Sequence, residues 1–224
     1  GLGLDETLRY CMAIFEGEDL DVGQVHAIRS RREVVQHAAA FHYIVDQFVT
    51  KDQPMSETLI CNTHALLVKD VSGEGAGFYS IKAFGGQYRS ARIFTGAQEL
   101  TRPTEIPKAM ASLVKNLAND LEQARKDGVL DPFTLAAKYA DRFVNIHPFR
   151  DGNGRVCRLI LNAILIKYAG IVVNVGEHDS NREQYLNIAT ESTKVGGHAG
   201  ALGTLVLHEA TKTFRRMRDM LKKK

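Results

Sequence analysis

Cysteine is scarce in this chain of 224 residues, and the three present, Cys11, Cys61 and Cys157, are too few and too scattered for a disulfide framework or a zinc site. No apolar stretch reaches the roughly 18 residues that a membrane-spanning helix needs. The amino end, GLGLDETLRY, has neither the basic n-region nor the apolar h-region of a secretory signal, so a cytoplasmic protein is expected. Charge of one sign is also in short supply. Lys plus Arg number 29 against 26 Asp plus Glu, an excess of three that gives nucleic-acid binding no support. Part of that excess sits in the tail RRMRDMLKKK, which reads as a solvated helix end whose lysines suit the negative end of the helix dipole. The sequence has no internal repeat, no low-complexity linker and no second hydrophobic core. Its length fits one domain able to bury a substantial core.

What is present is helical spacing, with apolar residues recurring at three and four between the breakers. A short helix is predicted from Leu4 to Phe15 and a second from about Asp21 to Val49. A third follows Ser56, placed like an N-cap before Glu57, and runs to about Val68. After a glycine-rich stretch at Ser72 to Gly77, alternating polar and apolar residues suggest an extended hairpin near Tyr88 to Phe94. Pro103 and Pro107 flank the start of a helix to about Ala124, and Asp131-Pro132 opens the next. The helix from the 153 region to about Tyr168 is almost entirely apolar from Leu159 to Ile166, as a buried central helix should be. Two more helices, near Asn181 to Thr193 and Ala201 to Lys222, complete an all-α reading with one short hairpin.

Residues 147 to 158 read HPFRDGNGRVCR and carry the chemistry of a nucleotide-phosphate site. His147 supplies a group that titrates near neutral pH, as a general base must. Asp151 suffices for magnesium, which takes one or two carboxylates and completes its shell with phosphate and water. Gly152 and Gly154 remove Cβ atoms that would hold the main chain away from a phosphate and permit an anion nest. A helix beginning near Asn153 would add its N-terminal dipole. Arg155 and Arg158, three apart, can hold phosphate oxygens as planar forks. Phe149 reads as a core anchor that fixes the loop, and Cys157 as a small buried filler. The remaining seven histidines show no metal-ligand spacing and read as structural or exposed.

This run resembles the core motif of the Fic family, HxFx(D/E)GNGRxxR, at every specified position. GQYR at Gly86 to Arg89 and ARIFTG after it resemble the family's flap, and EIPKAM at Glu105 to Met110 the helix that follows. The resemblance implies a compact helical domain that transfers AMP from ATP to a hydroxyl side chain of a protein. In that scheme His147 deprotonates the acceptor and Asp151 ligates magnesium. Asn153, Arg155 and the backbone from Gly152 to Gly154 hold the α and β phosphates, and Arg158 meets the γ phosphate. Tyr185 lies where the family often places an aromatic near adenine and ribose. Arg92, Ile93, Phe94 and Thr95 form the flap strand, on which a target segment can be added as an extra strand. Partners are then a protein substrate and the chain itself, through automodification, and a homodimer is compatible with this reading.

The segment MAIFEG at Met12 to Gly17 resembles the inhibitory helix of Fic proteins that carry one before the core. Glu16 and Gly17 match its pattern, whereas Met12 stands where a hydroxyl residue is expected. The implied device is an ion pair from Glu16 to Arg158 that occupies the guanidinium meant for the γ phosphate. Residues 1–20 are thus read as an inhibitory segment and residues 21–224 as a single Fic unit. Three alternatives stay open on sequence: removal of AMP from a modified protein, transfer of another phosphate-containing group, and a degenerate domain that only binds.

Overall fold

The computed structural model describes residues 4–16, 29–69, 84–95, 98–176, 187–188, 191 and 199–222. Among them are the helices α1 (Leu4–Glu16), α2 (Arg29–Val45), α3 (Glu57–Leu67), α4 (Ile106–Asp127), α5 (Pro132–Ile146), α6 (Asn153–Ala169) and α7 (Gly200–Leu221). One antiparallel hairpin joins β1 (Phe94–Thr95) to β2 (Gln98–Glu99). Among the described residues the all-α reading with a single small hairpin is what the fold realises.

Local chemistry sets several of these boundaries. The Ser56 hydroxyl accepts the Leu59 N–H at 3.1 Å and so starts α3. Asp131 starts α5 with one carboxylate oxygen accepting from the N–H groups of Phe133 at 3.0 Å and Thr134 at 3.1 Å, while Pro132 occupies the first turn. The end of α2 continues as a π-helical turn over Asp46–Thr50, closed by Lys51 N–H on the Asp46 carbonyl at 2.8 Å.

One boundary differs from the sequence expectation. The hairpin lies at 94–99 and not at Tyr88 to Phe94, because Arg89 gives its N–H to the Pro148 carbonyl at 2.8 Å and is therefore spent on the motif loop. The described part of the second helix begins at Arg29, and the expected start at Asp21 lies outside the described residues. So does most of the helix expected at Asn181 to Thr193.

The core forms around α6, as its apolar run requires. Val156, Ile160, Ile164 and Leu165 are at most 1% exposed, and each such side chain contributes about 1.5–3 kcal/mol of burial. Its principal neighbour is α5, with α2 and α3 on other sides, and α7 covers the far face of α5. The consequence is positional: the loop between α5 and α6, residues 147–152, is anchored at both ends by the best-packed helices. Among the described residues no helix is long and apolar enough to cross a membrane.

Candidate active site

His147 terminates α5 in the left-handed region, with φ 51 and ψ 57, while its N–H still bonds the Phe143 carbonyl at 3.1 Å. A non-glycine residue pays on the order of 1 kcal/mol for this conformation. Pro148 explains part of it, since a residue before proline is disfavoured in the right-handed helix and the chain must turn. The ring Nδ1 lies 3.3 Å from the Val144 carbonyl. A carbonyl can only accept, so Nδ1 carries the proton and Nε2 is left with a lone pair. Burial lowers the imidazole pKa below its ordinary value; the Val144 hydrogen bond opposes this, the Arg89 charge adds to it, and the Asp151 charge opposes it. The result is a neutral base at neutral pH.

The next turns are held by neutral contacts. Phe149 is fully buried, as its reading as an anchor requires. The Asn153 side chain accepts the Phe149 N–H at 2.9 Å and donates to the Phe149 carbonyl at 2.7 Å. It is 2% exposed, and its amide is committed to shaping the loop. His64 of α3 stacks on Phe149, with ring centroids 3.7 Å apart and planes 2° from parallel. Its Nδ1 accepts the Gly86 N–H at 2.9 Å, which fixes the proton on Nε2, and Nε2 donates to the Asp151 carbonyl at 3.0 Å. Burial lowers the His64 pKa to about 4, against smaller raising effects from Asp151. Two glycines are required at this junction. Gly152 has φ 78 and faces His64, and a Cβ on Gly86, which has φ 76, would lie 2.9 Å from the Cys61 carbonyl oxygen.

Charged groups lie beyond this clamp. The Asp151 carboxylate accepts the Gly152 N–H at 2.6 Å and pairs with the Arg155 guanidinium at 3.1 Å, yet its side chain is 81% exposed. That donor set fits magnesium, whose other ligands come from phosphate and water; no group of three or more His, Cys, Asp or Glu among the described residues could hold a metal alone. No side chain caps α6 at Gly152, and Val156 N–H makes the first intrahelical bond, to the Gly152 carbonyl at 2.9 Å. The N–H groups of residues 153, 154 and 155 are thus the orphan donors of a helix N-terminus, where an anion is favoured. A cleft of about 310 Å³ opens beside Arg158, lined also by His37, Phe41, Asn162 and Val173. In it the His37 pKa falls to about 4, first by burial and then by the charges of Arg158 and Arg155.

The other expected site residues are placed as follows. Arg92 is held by both its Nε and Nη2 at 2.5 Å to Glu99 across the hairpin, and Phe94 is 54% exposed on β1. Ile93 accepts the Leu100 N–H at 3.0 Å, which continues the pairing beyond Phe94 and Thr95. Glu16 is the exposed last residue of α1, and the ion pairs among the described residues do not join it to Arg158. Its neighbour Phe15 packs edge-on against Phe41, 6.2 Å between centroids, so the end of α1 stands at the wall of the Arg158 cleft. Tyr185 lies outside the described residues, as does Gly17. Cys157 is buried, with its thiol on the Ala140 carbonyl, and is the filler expected.

Sequence reading missed His64 and Arg89 as parts of this assembly. The Arg89 guanidinium donates to the carbonyls of His147 at 2.7 Å, Ala91 at 2.6 Å and Thr101 at 2.5 Å. Only the GQYR match pointed to that position.

A family model described as "Fic/DOC family" matches residues 54–165. A "Protein adenylyltransferase Fic" of Nematostella vectensis is 29% identical over 185 residues, covering 82% of this chain and 39% of the relative. The chain thus spans about two fifths of the length of that curated relative. A Fic domain containing signaling protein from Bacteroides thetaiotaomicron superposes with a TM-score of 0.62 at 25% identity, over 90% of this chain and 79% of that one. Fic-1 from C. elegans shares the fold with a TM-score of 0.75 at 22% identity, over 99% of this chain and 59% of that one.

Proposed function

Because this chain belongs to the Fic/DOC family, we propose that it transfers AMP from ATP to a hydroxyl side chain of a target protein, its own surface included. The reading is supported by one observation above the others. The proton on His147 Nδ1 leaves the Nε2 lone pair available beside the uncapped N-terminus of α6. A general base and a phosphate cradle therefore share one loop.

In the step so envisaged, the acceptor hydroxyl gives its proton to His147 Nε2 as its oxygen attacks the α phosphorus. The bond between that phosphorus and the bridging oxygen breaks, and pyrophosphate leaves with the electron pair. Main-chain N–H groups of residues 153–155 and the Arg155 guanidinium hold the α and β phosphates, and Arg158 meets the γ phosphate. Magnesium held through Asp151 would offset phosphate charge when bound. Tyr185 is assigned to the nucleoside. Arg92 to Thr95 present a strand edge to the target, with Phe94 offering an exposed ring to its side chains.

Glu16 is assigned the role of restraining the site by pairing with Arg158. The Phe15 to Phe41 contact, which sets the end of α1 against the Arg158 cleft, supports it. Purified protein incubated with ATP and magnesium should gain an AMP-sized adduct by mass spectrometry. Glu16→Gly should increase it about tenfold, the equivalent of about 1.4 kcal/mol of competition. His147→Ala should lower it by about 10²–10⁴-fold with ATP affinity retained. Absence of any AMP adduct, even in the Glu16→Gly protein, would refute the reading.

A further inference from the structure

Buried guanidiniums usually face carboxylates, but that of Arg89, a residue only 6% exposed, faces carbonyls. Besides its three short bonds, Nη2 reaches the Ile146 carbonyl at 3.5 Å. Sorted by position, these acceptors form two sets. Ala91 and Thr101 stand on the two arms of the flap, just before β1 and just after β2. Ile146 and His147 are the last residue of α5 and the proposed base itself. The Arg89 main chain adds a fifth link, from its N–H to the Pro148 carbonyl. One planar group thus joins both flap arms to the peptide that carries the base.

From this arrangement we infer that Arg89 is a positioning residue that sets the register between the flap edge, where a target strand docks, and His147. The inference rests on the function proposed above. A strand added to β1 is fixed along the flap, so the distance from its hydroxyl to Nε2 depends on how firmly the flap is tied to the 146–147 turn. A displacement of about 1 Å at such a reacting pair costs about 100-fold in rate. The four carbonyls are shared among three nitrogens, Nε on His147, Nη1 on Ala91 and Nη2 on Thr101 and Ile146, so the bonds leave the edge of a fork in different directions. A lysine carries its three donors on one atom and cannot reproduce that spread.

The test uses the full chain bearing Glu16→Gly, with and without Arg89→Lys. Arg89→Lys should lower kcat/KM for the protein acceptor by about 100-fold while the Kd for ATP stays within about twofold. A general structural role would lower ATP affinity and thermal stability along with transfer. A folded Arg89→Lys protein with unchanged acceptor kcat/KM would overturn the inference. Hydrogen exchange in the unsubstituted protein keeps the question decidable if Arg89→Lys does not fold. Opening of the flap and of the loop should be one event, so the Leu100 amide, bonded to Ile93, should be protected within about tenfold of the Arg89 amide. Faster exchange than that at Leu100 would overturn it. Failure of the parent protein to form any AMP adduct would refute the proposed function instead, and the exchange measurement would then judge Arg89 alone.

Discussion

Acid should loosen the loop that carries His147 through His64, and the size of the effect follows from its environment. The ring is 3% exposed, stacked on Phe149, and committed as acceptor to Gly86 and as donor to Asp151. Protonation would place a donor where Gly86 already donates and a charge where there is little water, and the pKa accordingly falls to about 4. The folded value lies below the unfolded one of about 6.5, so the unfolded chain binds the extra proton and stability declines with acid. The contribution is complete above the unfolded pKa and is lost progressively as pH falls toward the folded one. Between pH 7 and pH 5 this single group should cost about 2 kcal/mol. Urea unfolding at both pH values, for the unsubstituted protein and for His64→Gln, isolates the term. Gln keeps one acceptor and one donor but does not titrate, and His37, also lowered to about 4, is common to both proteins and cancels. The loss between pH 7 and pH 5 should be about 2 kcal/mol smaller in His64→Gln. Equal losses would mean that His64 titrates alike in both states, and the clamp would be misread.

Other consequences are measurable in the same protein. Asn153→Ala strips the Phe149 N–H and carbonyl of their partners in a buried loop, and should lower unfolding free energy by about 2–4 kcal/mol by urea titration. If His147 is the neutral base of the proposed transfer, the burial that lowers its pKa should let transfer persist below pH 6.5 and fall only as pH passes through the lowered value. A pH–rate profile whose acid limb lay above the ordinary imidazole value would contradict that placement.

How much could be read in advance depended on distance along the chain. The base, the carboxylate, the glycines and both arginines lie within residues 147 to 158, so their spacing carried the information. Helix starts at Ser56 and Asp131 were legible for the same reason, because a cap acts within three residues. His64 and Asp151 are 87 positions apart and Arg89 and His147 are 58 apart, and only tertiary packing joins them. The hairpin was misplaced because alternation from Tyr88 onward does not reveal that Arg89 is bonded to another part of the molecule. Asn153 carried a further ambiguity. An amide in a glycine-flanked turn serves a phosphate or its own loop equally well, and the structure commits its side chain to the loop.

These contacts divide the labour of the site by charge. Its shape is held by neutral His64, the Asn153 amide, and an arginine whose hydrogen bonds go to carbonyls while the Glu99 carboxylate acts on its charge from farther off. The groups left facing outward are Asp151 and Arg155, paired with each other, and Arg158 in its cleft. That pair spans one helical turn and its acid is mostly exposed, so it contributes on the order of 0.5 kcal/mol. In the proposed function, a nucleotide with its cation would separate the two at little cost, each moving from a weak partner to a stronger one. Shape and ligand binding then depend on different residues, and a substitution in either set should leave the other function measurable.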